Sequence, residues 1–142
     1  MIIEKLKKED LSSYKELIDE CFESSNDFSY YENNYDEESQ SYEIMIAKEN
    51  ERIIGAITIV KINLFTFPFH PMLELFNVAV LKEYRGKKVA KKLMEKIVDY
   101  AKEKGYKSIV LTCLDTAIDA HRFYESVGFV RTSSVKYNLK LD

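Results

Sequence analysis

The stretch Leu73–Ile97, "LELFNVAVLKEYRGKKVAKKLMEKI", changes its period partway along. Its first part reads as a strand rich in apolar residues. From Gly86 the spacing turns helical: Val89, Leu93, Ile97 and Ala101 form one stripe, flanked by Ala90, Met94 and Val98. A basic, glycine-containing turn joins the two. A strand that delivers a turn directly into a helix aims unpaired backbone N–H groups and the positive end of the helix dipole at one spot, which suits an anion and above all phosphate. Gly86 permits close backbone approach, and Lys87, Lys88, Lys91 and Lys92 add a positive field. The bland reading, lysines as solubilising charge on an exposed helix face, fits Lys92 and Lys96 better than it fits the turn.

Outward from this stretch, the N-terminal side opens as strand then helix. "IIEKL" alternates, Asp10 stands as an N-cap, and Leu11, Tyr14, Leu17, Ile18 and Cys21 recur at helical spacing. Residues 24–41 are rich in Ser, Asn, Asp, Glu and Tyr and read as short helical turns or a mobile loop. "YEIMIAKENERIIGAITIVKINLF" reads as two strands joined at "KENE", with Gly55 as a bulge or a point of close approach. Pro68 and Pro71 in "TFPFHP" are expected to interrupt strand pairing, with the next strand resuming at Met72. Beyond the long helix, Gly105 is placed to end it. "KSIVLTCL" then reads as a strand, "AIDAHRFYESVG" as a helix ended by Gly128, and "FVRTSSVKYNLKL" as two final strands.

Composition bounds the function. A chain of 142 residues, 46% hydrophobic, is the size of one globular domain. We expect a single domain over residues 1–142, with no repeat or linker. The formal charge of -3 argues against a general nucleic-acid-binding surface. Charge is unevenly placed, however: Asp19–Glu43 holds nine acidic residues and no Lys or Arg, leaving 21 basic side chains against the remaining 15 of 24 acidic ones. Cys21 and Cys113 lie far apart and give neither a disulfide framework nor zinc-ligand spacing, so no metal is expected. No apolar stretch approaches the ~20 residues that span a bilayer. "MIIEKLKKED" lacks the features of a secretory signal, and a cytoplasmic setting with no membrane partner is expected.

"NVAVLKEYRGKKVAKKLM" together with "AHRFYESVGF" resembles the two signature segments of the GNAT superfamily of N-acetyltransferases, over Leu73–Phe129 and in the expected order. The resemblance implies an α/β (α+β) fold: a central mixed, mostly antiparallel twisted sheet of six to seven strands, splayed between strands four and five and flanked by about four helices. It implies acetyl-coenzyme A as cosubstrate, entering that splay. The family's turn has the form Arg or Gln, two residues, Gly, one residue, Gly or Ala, and its amides hold the pyrophosphate. Here Arg85, Gly86, Lys87, Lys88, Val89 and Ala90 occupy the frame, followed by Lys91. Lys88 stands where the first motif Gly is usual, which the backbone accommodates if its φ is negative. Ala117 stands where many relatives carry Asn. The backbone of Val78, Ala79 and Val80 is implied to polarise the thioester and pair with pantetheine.

By the same resemblance Tyr124 is the acid that meets the leaving thiolate and a coenzyme contact; the alternative is a half-buried packing tyrosine. Glu74 is the only acidic residue in "LELFNVAV", and strand alternation places it on one face with Phe76, Val78 and Val80, ~13 Å along the strand from Val78. It is a candidate general base acting through water, or a strand-end carboxylate bonded to a loop. Cys113 has no His or Asp spacing that supports activation and reads as a small packing residue, and His70 reads as loop packing. His121 and Arg122 read as surface residues. The acidic, tyrosine-bearing Asp19–Glu43 segment covers the acceptor site in the family, which fits a cationic acceptor, or it is a mobile acidic loop. The expected activity is N-acetylation of a primary amine of a small molecule or peptide by direct attack in a ternary complex. The alternative is a catalytically weak coenzyme-A-binding sensor or partner module. The final strands can also pair across a homodimer.

Overall fold

The structure is a computed structural model that describes all residues from Met1 to Asp142. Residues Met1–Leu111 and Thr112–Asp142 form two compact units. The first unit runs β1 (Ile2–Lys5), α1 (Leu11–Phe22), α2 (Phe28–Asn34), β2 (Tyr42–Glu49), β3 (Arg52–Leu64), β4 (Phe67–Val80), α3 (Val89–Lys104) and β5 (Ser108–Val110). Its sheet has five strands in the order β1-β2-β3-β4-β5. All neighbours are antiparallel except β4 and β5, which are parallel.

Both faces of this sheet are covered, which is why β2 and β3 read as apolar runs rather than strict alternations. Met45, Ile57, Ile59, Leu73 and Leu75 lie on the face toward α3, and the α3 stripe of Val89, Leu93, Ile97 and Ala101 is buried with Met94. Ile44, Ile46 and Ala56 occupy the other face, toward α1. Asn50 and Glu51 both adopt left-handed φ, 50° and 66°, and make the tight two-residue hairpin between β2 and β3. The register slips between Ala47 and Lys48, leaving Ile54 as the extra residue of a bulge beside Gly55. Gly55 is a point of close approach: a Cβ there would stand 2.8 Å from Val89 Cγ1 and 3.3 Å from both the Ala79 carbonyl and Leu93 Cδ1.

Several expectations need correction. β4 starts at Phe67 and contains both prolines, but the register jumps between Leu64↔Phe67 and Ile62↔Met72. Pro68 and Pro71 therefore lie in an irregular stretch with no ladder partner, where a missing N–H costs nothing. Asp10 precedes α1 without a side-chain cap bond; its carboxylate takes the Lys48 ammonium at 2.9 Å instead. Residues 28–34 form a true helix, capped by Asp27, whose carboxylate accepts from the Ser29 N–H at 3.0 Å. α3 begins at Val89, and its end at Gly105, with φ 83°, follows the sequence reading.

The second unit holds α4 (Ile118–Ser126). The two final strands expected over residues 129–141 are not formed, so the sheet has five strands and not six or seven. Val135, Tyr137, Leu139 and Leu141 alternate as a strand would, yet all are exposed. A period-two pattern states which side chains a strand would bury; the ladder has to come from a neighbour with an open edge. β5 is likewise shorter than expected, Ser108–Val110.

Gly55→Ala should force α3 outward, because Val89 is β-branched and buried and has little freedom to move aside. We expect a loss of about 1–3 kcal/mol, seen as a lower urea midpoint with an unchanged slope. An unchanged midpoint would show that the β3–α3 approach is not tight.

Candidate active site

β4 carries a partner on both edges only over Met72–Glu74, where it pairs with Ser108–Val110 of β5. Glu74 is the last rung, and beyond it no strand pairs with that edge. On the other edge β4 stays with β3 but bulges. Thr58 pairs with Phe76 and Ala56 with Ala79, so Asn77 and Val78 together oppose Ile57. Asn77 takes φ 52°, a left-handed conformation that asparagine tolerates better than most residues.

The bulge changes which residues share a face. Paired residues lie on one face, so Glu74 and Phe76 go with Val60 and Thr58, while Ala79 joins them through Ala56. Val80 pairs with Gly55 and so turns to the α3 side. The expected grouping of Glu74 with Val80 is therefore wrong, because the extra residue at Asn77 shifts the parity. The backbone follows the same logic. The Leu81 N–H donates to the Ile54 carbonyl at 2.9 Å, so Ala79 bonds toward β3 and the N–H and C=O of Val80 point to the open edge. The Val80 carbonyl accepts there from Arg85 Nε at 3.1 Å and from the Cys21 thiol at 3.4 Å. Burial pushes the Cys21 thiol up, keeping it an S–H donor.

A short helical turn at Lys82–Tyr84 leads from β4 into residues 85–88 and α3. No hydrogen bond inside the chain uses the N–H groups of Val89, Ala90 and Lys91, and the first closed turn of α3 is Lys92 N–H to the Lys88 carbonyl at 3.0 Å. Gly86 has φ 79° with nothing within 4 Å of a built Cβ. Lys88 has φ 66°, so the condition of a negative φ, under which lysine would be accommodated there without strain, is not met. A lysine holds the left-handed conformation that glycine takes freely. Lys87 Nζ stands 5.5 Å from the Tyr84 ring centre. A cavity of about 640 Å³ lies beside the turn, lined by Glu20, Cys21, Phe22, Glu23, Lys82 and Arg85. Arg85 thus binds the end of β4 and borders this cavity at once.

A second cavity, of about 700 Å³, is walled by Tyr14, Tyr30, Tyr31, Tyr35, Tyr42 and Phe22. Asn77, the bulge residue, also lines it. Burial pushes the Tyr14 hydroxyl up to about 12, partly offset by its bond to Thr58. Glu74 stands on the same sheet face as Tyr42 and Thr58, outside the cavity lining and without a hydrogen-bond or ionic partner in the chain. The acidic residues of Asp19–Glu43 do not form the cavity wall.

Within the second unit, Tyr124 sits in the middle of α4, half-buried between the rings of Phe123 and Phe129 at 5.3 and 5.8 Å. Burial, with a smaller contribution from nearby Cys113, raises its pKa above the ordinary 10.0. Ala117 precedes α4 with no capping bond. Sequence reasoning missed one pairing: Cys113 Sγ lies 3.8 Å from His121 Nδ1, while His121 Nε2 lies 2.9 Å from the Leu114 carbonyl. The eight-residue separation across a turn is not a motif spacing, so only the fold reveals it.

A family model described as "Acetyltransferase (GNAT) family" matches residues 11–129. N-acetyltransferase 8B of Homo sapiens is 29% identical over 87 residues, which are 61% of this chain and 38% of that protein. N-acetylaspartate synthetase of Xenopus tropicalis is 38% identical over 68 residues, 48% of this chain and 25% of that protein. The chain therefore matches well under half the length of these curated relatives. In three dimensions it is similar to an aminoglycoside acetyltransferase from an uncultured soil metagenomic sample, crystallised with trehalose. That match has a TM-score of 0.84 at 19% identity and covers 99% of this chain and 96% of the other, a likeness of fold.

The left-handed Lys88 yields a stability prediction. Lys88→Gly relieves about 1–2 kcal/mol of backbone strain and adds about 0.5–1 kcal/mol of unfolded-chain entropy. A net gain of up to about 1.5 kcal/mol is expected in urea unfolding, whereas Lys88→Ala keeps the strain and gains nothing. Equal stability of the Gly and Ala variants would mean that the turn does not hold this φ in solution.

Proposed function

The chain belongs to the acetyltransferase (GNAT) family, and on that premise we propose that it moves the acetyl group of acetyl-coenzyme A to a primary amine of a small molecule or peptide, by direct attack in a ternary complex. The observation that carries this reading is the open edge of β4 beyond Glu74, leading directly into the free N–H groups that start α3. Such an edge can accept an extended, amide-bearing chain as a further strand, and the helix start suits a pyrophosphate. We assign coenzyme binding to Val78, Ala79 and Val80 on the strand and to Arg85, Gly86, Lys87, Lys88, Val89, Ala90 and Lys91 at the turn. Ala79 contributes shape, since its backbone bonds toward β3, and Val80 offers its N–H. The family match runs through both units, which supports one acetyltransferase domain over residues 1–142. No helix is long and apolar enough to cross a membrane, and no cluster of side chains is arranged to hold a metal ion.

Chemistry on a thioester needs a neutral amine, a polarised carbonyl and a proton for the leaving sulfur. A primary amine reaches the site as ammonium and must first lose a proton. Glu74, on the sheet face of the tyrosine-walled cavity, is the proposed acceptor of that proton, through water. The amine lone pair then forms the C–N bond. Charge gathers on the acetyl oxygen, which the open backbone edge is placed to stabilise. As the C–S bond breaks, the electron pair leaves on sulfur, and the Tyr124 hydroxyl is the proposed donor of its proton; the nitrogen, positively charged once the C–N bond has formed, then gives up its second proton to become the amide, which returns the tyrosine to its neutral form through solvent. The raised pKa of Tyr124 keeps that proton in place through neutral and mildly alkaline pH. Its activity is lost as pH rises through the raised value, because only the protonated form can donate.

Tyr124→Phe tests this assignment. We expect acetyl-coenzyme A to bind as before while kcat falls about 100-fold or more, and the alkaline limb of the kcat profile, lying above 10.0 in the parent, to disappear. Unchanged turnover would remove Tyr124 from the mechanism. A parent protein that binds acetyl-coenzyme A but acetylates no amine in a broad panel would overturn the transferase reading.

A further inference from the structure

We infer that the tyrosine-walled cavity of the first unit selects an acceptor whose single amine is carried on an aromatic body with no second charge. The inference rests on the transferase reading above and narrows it to a substrate class. Asn77 ties the cavity to the proposed reaction centre: it lines the wall, it is the bulge residue of β4, and it precedes Val78 in the chain. An amine lodged there lies beside the strand assigned to the thioester. The volume, about 700 Å³, is that of a small-molecule site.

The lining carries no charged side chain at all. This matters because the covering segment is the most acidic part of the chain: none of its nine carboxylates lines the cavity, and several are bonded elsewhere. Asp19 holds Lys15 and accepts from Ser24 Oγ at 3.0 Å. Asp27 caps α2. Asp36 accepts from the Glu38 N–H at 2.9 Å, Glu37 accepts from the Lys8 N–H, and Glu43 faces Lys61 at 3.7 Å. A polyamine or a multiply charged amino sugar entering the cavity would give up hydration at each further ammonium and find no carboxylate in exchange.

Three of the five tyrosine hydroxyls in the lining also hold a bond within the chain. The Tyr35 hydroxyl donates to the Leu6 carbonyl at 2.7 Å, the Tyr31 hydroxyl accepts from Asn26 Nδ2 at 3.0 Å, and the Tyr42 hydroxyl accepts from the Asp36 N–H at 3.0 Å. A body dense in hydroxyls would compete with these bonds. The walls instead present ring edges and faces. Tyr14 and Tyr31 lie 5.9 Å apart at 50°, Tyr30 and Tyr31 6.5 Å at 60°, and Tyr35 and Tyr42 6.2 Å at 51°. These tilted arrangements are the ones in which an incoming ring continues edge-to-face contact. Tyr30, 63% exposed, places a π face at the mouth where one ammonium can rest before it is deprotonated.

The test compares 2-phenylethylamine, spermidine and glucosamine as acceptors for the full chain, with binding of 2-phenylethylamine measured separately by ligand-observed NMR without coenzyme. We expect kcat/KM for 2-phenylethylamine to exceed the other two by about ten-fold or more, the effect of losing one good aromatic contact. Tyr31→Ala should raise its KM by a similar factor while Tyr31→Phe changes it little. Tyr30→Ala, at an exposed position with little bearing on folding, should weaken binding in the same direction. Equal or better use of spermidine or glucosamine overturns the inference, as does an unchanged KM in both alanine variants. Binding of 2-phenylethylamine that depends on Tyr30 and Tyr31, with no acetylation of any amine, would sustain the cavity assignment and sink the transferase reading. Acetylation of other amines without 2-phenylethylamine binding would do the reverse.

Discussion

A strand inside a sheet has to satisfy backbone donors and acceptors on two edges, and β4 does so only as far as Glu74. From there its second edge lies open while its first remains pinned to β3. An unpaired edge is a liability in most folds, open to aggregation or to unplanned pairing. In this chain it is short, it bulges at Asn77, and its last carbonyl is capped by Arg85 and Cys21. These devices limit chance pairing and leave a defined stretch for one extended ligand. The position of every other proposed site residue in the first unit follows from where that edge opens.

Packing on the α3 face fixes the rest of that geometry. Because Gly55 has no side chain, Val89 and Leu93 come down onto β3, and the start of α3 is held against the strand next to the open edge. The orphan N–H groups of α3 are therefore displayed at a fixed place relative to Val80. On the opposite face, α1 and α2 bring tyrosines over the sheet, and the bulge at Asn77 joins that cavity to the same strand. One extra residue in β4 thus serves two purposes: it re-aims the backbone of the edge, and it puts Asn77 into the wall of the aromatic cavity.

Much of this was legible in the sequence wherever local chemistry decides the outcome. The stripe of Val89, Leu93, Ile97 and Ala101, the stop at Gly105 and the close approach at Gly55 needed only periodicity and the special freedom of glycine. The bulge at Asn77 was not legible, because alternation assumes an unbroken period of two and nothing in "LFNVAV" marks where it slips. The sign of φ at Lys88 was not legible either, since a lysine carries no signal for a left-handed turn; the turn geometry imposes it. The prolines of β4 were read as breakers, although an irregular stretch can hold them without loss. The alternating tail over residues 129–141 has the pattern of strands and no ladder, and the carboxylates of the acidic segment lie outside the lining of the tyrosine-walled cavity, which a charge count cannot tell from a place in its wall.

The most direct test of the central claim is amide hydrogen exchange, residue by residue, with and without acetyl-coenzyme A at ~100 times its dissociation constant, where nearly all the protein is bound. The account predicts new protection confined to the N–H of Val80 on the open edge and to Val89, Ala90 and Lys91 at the start of α3. Uniform slowing without a local maximum would report general stabilisation only. Protection elsewhere, with these amides still exchanging freely in the bound state, would contradict the assignment of the β4 edge and its turn as the coenzyme site.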